Sequence, residues 1–209
     1  MNILFIFLFV LFLDFNGSQT PVKGLKALYE FPAGSHIGYC DLSHQQLKTM
    51  PNLSMYHIDT LDISYNEIRS LDNALLFPQD LVFLNISHNN MKFVLINMPK
   101  SSTDIGTRRF VGFYPELFPK LEQLDVAYNR VKRLVLPPSI RHVNAEHCEL
   151  LSIRLCLPYD QQHKITYLNL NDNPELYCVV NFDVNTIDTL LTSNCANGYP
   201  LIKALDLDE

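Results

Sequence analysis

Ile58-Asp59-Thr60-Leu61-Asp62-Ile63-Ser64-Tyr65-Asn66-Glu67-Ile68 places apolar side chains at 58, 61, 63 and 68 and an Asn at 66. The same spacing returns at Leu81, Leu84, Ile86, Asn89 and Met91, and at Leu121, Leu124, Val126, Asn129 and Val131. Ile165, Leu168, Leu170 and Asn173 repeat it again, and weaker copies run Ile37, Cys40, Leu42, Gln45, Leu47 and Ile140, Val143, Ala145, Cys148, Leu150. An apolar–variable–apolar core is a short strand of period 2 whose apolar side chains point inward and whose middle residue points out. The Asn turns the chain, and its amide can satisfy backbone groups that neighbouring coils would otherwise bury unpaired. Such units cannot bury their apolar face alone, so they stack into a solenoid with one parallel sheet along its length.

The Asn position falls at 45, 66, 89, 129, 148 and 173, so successive spacings are 21, 23, 40, 19 and 25. The 40-residue interval is either two short coils or one coil with an insertion. Phe93 to Phe118 holds no good second template and Ser101–Arg109 is turn-rich, which favours an insertion at about 94–117. Cys148 is an allowed replacement for Asn, whereas the longer amide of Gln45 is not expected to reach the same partners and makes the first coil the weakest match.

The template resembles the leucine-rich repeat. That resemblance implies an α/β solenoid with a curved parallel sheet on the concave face, an irregular or short helical convex side, and caps at both ends. The expected division is a signal peptide at 1–18, an N-terminal cap at 19–36, repeats at 37–176 and a C-terminal cap at 177–209. Phe182, Ile187, Leu190 and Leu191 have near-helical spacing, with Asp183 or Asn185 available as N-cap, so the last cap is expected to hold a helix.

The signal peptide is read from the apolar run Ile3–Leu13 and the small residues Gly17, Ser18 and Thr20 behind it. The run is short of the ~20 residues that span a bilayer. It lacks a basic residue ahead of it, and a buried N-terminal strand is the alternative. No second apolar segment of membrane length follows, and the acidic end ALDLDE matches neither a membrane nor a lipid anchor. The expectation is a secreted, extracellular chain with no transmembrane segment once mature. Glycosylation sequons at Asn52 and Asn85 fit that compartment, while a third at Asn16 falls at the cleavage site. A formal net charge of -6 argues against nucleic acid as a partner.

Recognition by a solenoid resides in the outward columns between its scaffold residues. One column reads Asp41, Asp62, Asn85, Asp125, Asn144 and Asn169. Two places on lie Ser43, Ser64, Ser87, Ala127, Glu146 and Asn171, and next to them His44, Tyr65, His88, Tyr128, His147 and Asp172. A fourth, before the second inner apolar residue, reads Tyr39, Thr60, Phe83, Gln123, His142 and Tyr167. Acidic or amide residues followed by Ser are common in this repeat and are equally a scaffold feature. The His/Tyr column is less generic, since aromatics bury large areas at low entropic cost in interfaces. The expected partner-binding set is therefore Tyr39, Asp41, His44, Asp62, Tyr65, Phe83, His88, Asp125, Tyr128, His142, His147 and Tyr167, with an ordinary solvated rim as the alternative.

Histidines two strands apart are separated by about 10 Å, too far to share a zinc ion. No phosphate-binding, nucleophile-elbow, dinucleotide or zinc-protease motif occurs, and paired acids such as Asp59 and Asp62 sit on an open face. Neither an enzyme nor a bound cofactor or metal is expected.

The signal, the irregular Tyr-rich repeats and the late cysteines Cys178 and Cys195 are similar to insect innate-immune members, including the mosquito leucine-rich-repeat immune proteins. The resemblance implies a haemolymph protein that recognises a microbial surface ligand or another extracellular protein. Fourteen residues remain after Cys195, so the C-terminal coiled coil of those proteins is not expected. The resemblance also implies a cysteine-stapled end cap, with Cys178–Cys195 as the first pairing and Cys156–Cys178 as its rival. Cys40 occupies an inward position and reads as a small buried hydrophobe. A structural or matrix role and a truncated receptor ectodomain stand beside the binding module as alternatives.

Overall fold

The computed structural model describes residues 21–70, 76–91, 118–155, 164–180 and 187–195. In chain order these form β1 (Val22–Lys23), α1 (Gly24–Leu28), β2 (His36–Asp41), β3 (His57–Asp62), β4 (Phe83–Asn85), β5 (Gln123–Asp125) and β6 (Arg133–Leu136). They continue with β7 (His142–Asn144), β8 (Ser152–Leu155), β9 (Tyr167–Asn169), β10 (Cys178–Val180) and β11 (Thr189–Leu191). Eight strands make one sheet in the order β1-β2-β3-β4-β5-β7-β9-β11, and every pair is parallel. Cys40, Leu61, Leu84, Leu124, Val143, Leu168 and Leu190 are successive register partners. The repeat therefore closes into a leucine-rich-repeat solenoid with very little helix. The expected signal peptide, the expected insertion at 94–117 and Cys156 lie outside the described residues.

Each coil is bolted to the one before it by the residue in the Asn position. Asn66 accepts from the Gln45 and Leu47 N–H groups and donates to the Leu42, Ile63 and Ser64 carbonyls. Asn89 and Asn129 repeat the arrangement in the next two coils, and Asn173 repeats it two coils beyond Asn129, past the coil that carries Cys148. Loop backbone that would be buried without partners is thereby satisfied. Gln45 is exposed and its amide reaches only the Ser43 carbonyl, so its coil is held from above by Asn66. Across the 40-residue interval β4 and β5 are direct neighbours, and Asn129 bonds the Ile86 carbonyl.

The N-terminal end is closed by β1 and α1, with Leu28 fully buried and Val22 and Leu25 packed on the core. Gly24 adopts φ +80, a left-handed backbone that calls for glycine, while an added Cβ would meet only the end of the exposed Gln45 side chain at 3.3 Å.

Three features depart from expectation. The opposite side carries a second parallel sheet, β10-β8-β6, in which Leu134, Ile153 and Val179 stack inward. Its strands RLVL and SIRL alternate with period 2, but they are too short to stand out in a single sequence. Next, the helix expected near Phe182–Leu191 does not extend over 187–191, where Thr189–Leu191 form β11, while 181–186 lie outside the described residues. Ile187, Leu190, Thr192 and Cys195 are a seventh copy of the template, with Thr in the third apolar place and Cys in the Asn place. The β9 edge supplies backbone partners for that strand and overrides a weak helical spacing.

The Cys178–Cys195 bridge is accordingly absent. Cys195 is a free thiol that donates to the Leu170 carbonyl at 2.9 Å, as the free thiol of Cys148 donates to Val126 at 3.0 Å. Cys195 is a rung of the solenoid ladder, whereas Cys178 lies on β10 of the other sheet. Cys40 is also a free, fully buried thiol.

Candidate functional site

Period 2 sends the acid/amide column to the outer face of the large sheet, and the chain then folds those side chains back on itself. Asp41, Asp62, Asn85, Asp125, Asn144 and Asn169 each accept the N–H two residues on. These are side-chain-closed turns that end the strand. Lateral bonds join neighbours: Asn85 donates to Asp62 at 3.2 Å, Asn144 to Asp125 at 3.1 Å and Asn169 to Asn144 at 3.1 Å. Asp125 is only 5% exposed. Burial raises its pKa to about 6, opposed by bonds from Ala127 and Asn144 and aided by Asp62 and Glu146. Burial likewise raises Asp62, with Asp41 adding to the effect. Most of this column is scaffold that also carries negative charge.

The turns force the next column into an unusual backbone. His44, Tyr65, His88, Tyr128, His147, Asp172 and Asn194 all have φ between 51 and 56. The left-handed region is costly for bulky L-residues, while Asn, Asp and His tolerate it better. Because the turns repeat in register, the five rings project side by side and stack. Centroids lie 4.5 Å apart for His44–Tyr65, 4.1 Å for Tyr65–His88, 4.3 Å for His88–Tyr128 and 5.3 Å for Tyr128–His147. Tyr65 and Tyr128 stay 48% and 43% exposed. Desolvation, then the neighbouring His44, lowers the His88 pKa. The Tyr128 hydroxyl donates to Glu146 at 3.3 Å.

The fourth column lies in register on the same face: Tyr39, Thr60, Phe83, Gln123, His142 and Tyr167 are successive partners and are half-buried. His142 and Tyr167 stack at 4.3 Å, and burial depresses His142 to about 4. All twelve expected contact residues thus share one face, although Asp125 is nearly closed off by its neighbours. Among the described residues, no group of three or more His, Cys, Asp or Glu is placed to hold a metal ion. No helix among them is long and apolar enough to cross a membrane.

Of the sequons, Asn52 is exposed, its oxygen bonded to the Ser54 N–H and hydroxyl. Asn85 lies within β4 with its amide nitrogen committed to Asp62.

Sequence reasoning missed a row of ion pairs at the strand entrances. His36 meets Asp59 at 3.0 Å, His57 meets Asp80 at 2.6 Å, Asp80 also holds Lys120, and Lys164 meets Asp188 at 3.0 Å. His57 and Lys120 together hold the Asp80 carboxyl down at about 2. The one visible signal was His36 and His57, each one place before an inner Ile. These exposed pairs link successive coils and contribute little stability individually. No family model matches this chain, and no curated protein matches it.

Proposed function

We propose that this protein is a secreted recognition module that docks another extracellular protein against the ring-lined outer face of its large sheet, in a setting such as innate immune recognition. The observation that supports this reading is the stack of five rings on left-handed backbone. Left-handed conformation costs a bulky residue about 1–2 kcal/mol. The last two coils put Asp172 and Asn194 at the same position with φ 56 and 55, so the fold itself has no need of a ring there. Each stack returns about 0.5–1.5 kcal/mol, and four of them only roughly offset the cost of the column. Stability alone therefore gives little reason for two half-exposed tyrosines, whereas a contact surface does. Tyr, Ser, Asn and His edges presented on rigid strands form a low-entropy, hydrogen-bonding contact strip.

The test replaces Tyr65, His88 and Tyr128 together by Asn, which suits left-handed backbone and leaves the coil unstrained. Native extracellular fluid is passed over immobilised wild-type and variant chains, and captured proteins are compared. A partner retained by the wild type and lost by a normally folded variant is the expected result. Retention of every partner by the variant removes the ring column from the function.

A further inference from the structure

The same face is unusual in charge as well as in aromatic content. Over the seven coils its four columns hold the carboxylates Asp41, Asp62, Asp125, Glu146 and Asp172, with no Lys or Arg at any of those positions. The single base in register is Lys23 on the edge strand β1, 3.9 Å from Asp41. Other exposed bases lie off the columns: Lys120, Arg141 and Lys164 flank the strand entrances, Lys48 and Arg69 follow the Asn position, Arg133 and Arg154 sit on the second sheet, and Arg130 and Lys132 lie on the turn leading to it. The four columns of this face thus carry acids and rings but no base, and of the bases that flank it at the strand entrances Lys120 and Lys164 are paired to Asp80 and Asp188.

Apart from Asp41, which has Lys23 at 3.9 Å, the acids on this face are hydrogen-bonded rather than ion-paired. Asp125 meets an amide and an N–H, Asp62 meets Asn85 and Ser64, and Glu146 meets the Tyr128 hydroxyl and Asn169. Dipoles satisfy the oxygens but leave the net charge in place. Every acidic group of these columns with a resolved shift is raised: burial is the largest cause for Tyr39, Asp62, Asp125, Tyr128 and Tyr167, and a neighbouring carboxylate adds to each. A cation laid over the column would relieve that repulsion.

We infer that the segment this face receives is cationic: an extended Lys- or Arg-bearing stretch of a partner protein, lying across the carboxylate column beside the ring stack. This rests on the docking role proposed above and names the chemistry of its partner. Guanidinium groups bond carboxylates in bidentate fashion and pack on aromatic rings, so both features of the face suit the same residue.

Seven strands at ~4.8 Å span about 29 Å, which an extended peptide covers with roughly nine residues. The probe is therefore a fluorescein-labelled peptide of about that length alternating Arg with Ser, and its control carries Glu in place of Arg. Binding to the full chain is read by anisotropy for the wild type and two triple variants of equal charge change. One is Asp41→Asn, Glu146→Gln, Asp172→Asn on the face; the other is Glu67→Gln, Glu149→Gln, Glu175→Gln away from it. The face variant should weaken the Arg peptide about ten-fold, ~1.4 kcal/mol, while the other changes it less than about two-fold. Equal effects of the two triples, or tighter binding of the Glu peptide, overturn the inference. Since Glu146→Gln leaves one oxygen where two accept from Tyr128 and Asn169, the double Asp41→Asn, Asp172→Asn is measured beside it and must weaken binding in the same direction.

The Asn triple at Tyr65, His88 and Tyr128 separates the two proposals. If it loses its fluid-borne partner while the face charge variant keeps that partner, docking on the rings stands and the cationic partner falls. Self-association of the wild type that the face variant abolishes would assign the site to a second copy and overturn the foreign partner.

Discussion

Replacing Asn173 by Ala should remove one rung of the solenoid, and its cost can be worked bond by bond. Asn173 is 0% exposed, and its oxygen accepts from the Cys148 N–H at 3.1 Å and the Leu150 N–H at 2.9 Å. Its nitrogen donates to the Ala145, Leu170 and Asn171 carbonyls. Two of those acceptors keep another donor, since Leu170 takes the Cys195 thiol and Asn171 takes the His147 N–H. Three groups are then orphaned: the Cys148 and Leu150 N–H groups and the Ala145 carbonyl. At about 1–2 kcal/mol for each buried unpaired group, the loss is about 3–6 kcal/mol. That is a large share of the ~5–15 kcal/mol that holds a domain of this kind together. The melting temperature should fall by about 6–24 °C, taking ~2–4 °C per kcal/mol for a chain of this length. Circular-dichroism melts and urea titrations measure the total. Hydrogen exchange locates it, because nearest-neighbour coupling concentrates the damage on the coils either side of the broken rung. A loss below about 1 kcal/mol, with the Cys148 and Leu150 amides exchanging as slowly as in the wild type, would refute the ladder reasoning.

Three further expectations follow the same geometry. The Cys148 thiol offers the Asn129 N–H only a sulfur acceptor, so Cys148→Asn should install the missing amide rung and add about 1 kcal/mol; an unchanged or lower melting temperature counts against it. Asp125, with its pKa raised to about 6, binds its proton more tightly folded than unfolded, so its contribution to stability is complete below the unfolded value near ~3.9 and declines as pH rises through about 6. His142, depressed to about 4, has the opposite slope across part of that window, being most stabilising above its unfolded value and losing this as pH falls towards 4. The Asp125 effect is therefore sought as a difference: Asp125→Asn should gain on the wild type as pH rises from 4 to 7, and two parallel stability–pH curves would exclude it. Expressed through a secretory host, the chain should carry glycan at Asn52 and none at Asn85, whose nitrogen is engaged within β4; an endoglycosidase mobility shift lost in Asn85→Gln but kept in Asn52→Gln would reverse that assignment.

The sequence alone determined the period, the inward side chains and the rungs at 66, 89, 129 and 173, because these obey local rules of alternation and turn chemistry within one coil. It also placed the four outward columns on one face. Tertiary structure decided what each column became. Whether Asp125 is a surface charge or a buried turn acceptor depends on Asn144, a coil away. Whether Tyr65 is an isolated rim residue or the second ring of a stack depends on His44 and His88, 21 and 23 positions distant, being brought into register. Cys195 shows the same limit: its position after Ile187 and Leu190 fits the template, but only the parallel pairing of β11 with β9 makes it a ladder rung instead of half of a disulfide. A local pattern states which way a side chain points; which groups it meets is set by the neighbouring coil, and that neighbour is chosen by packing.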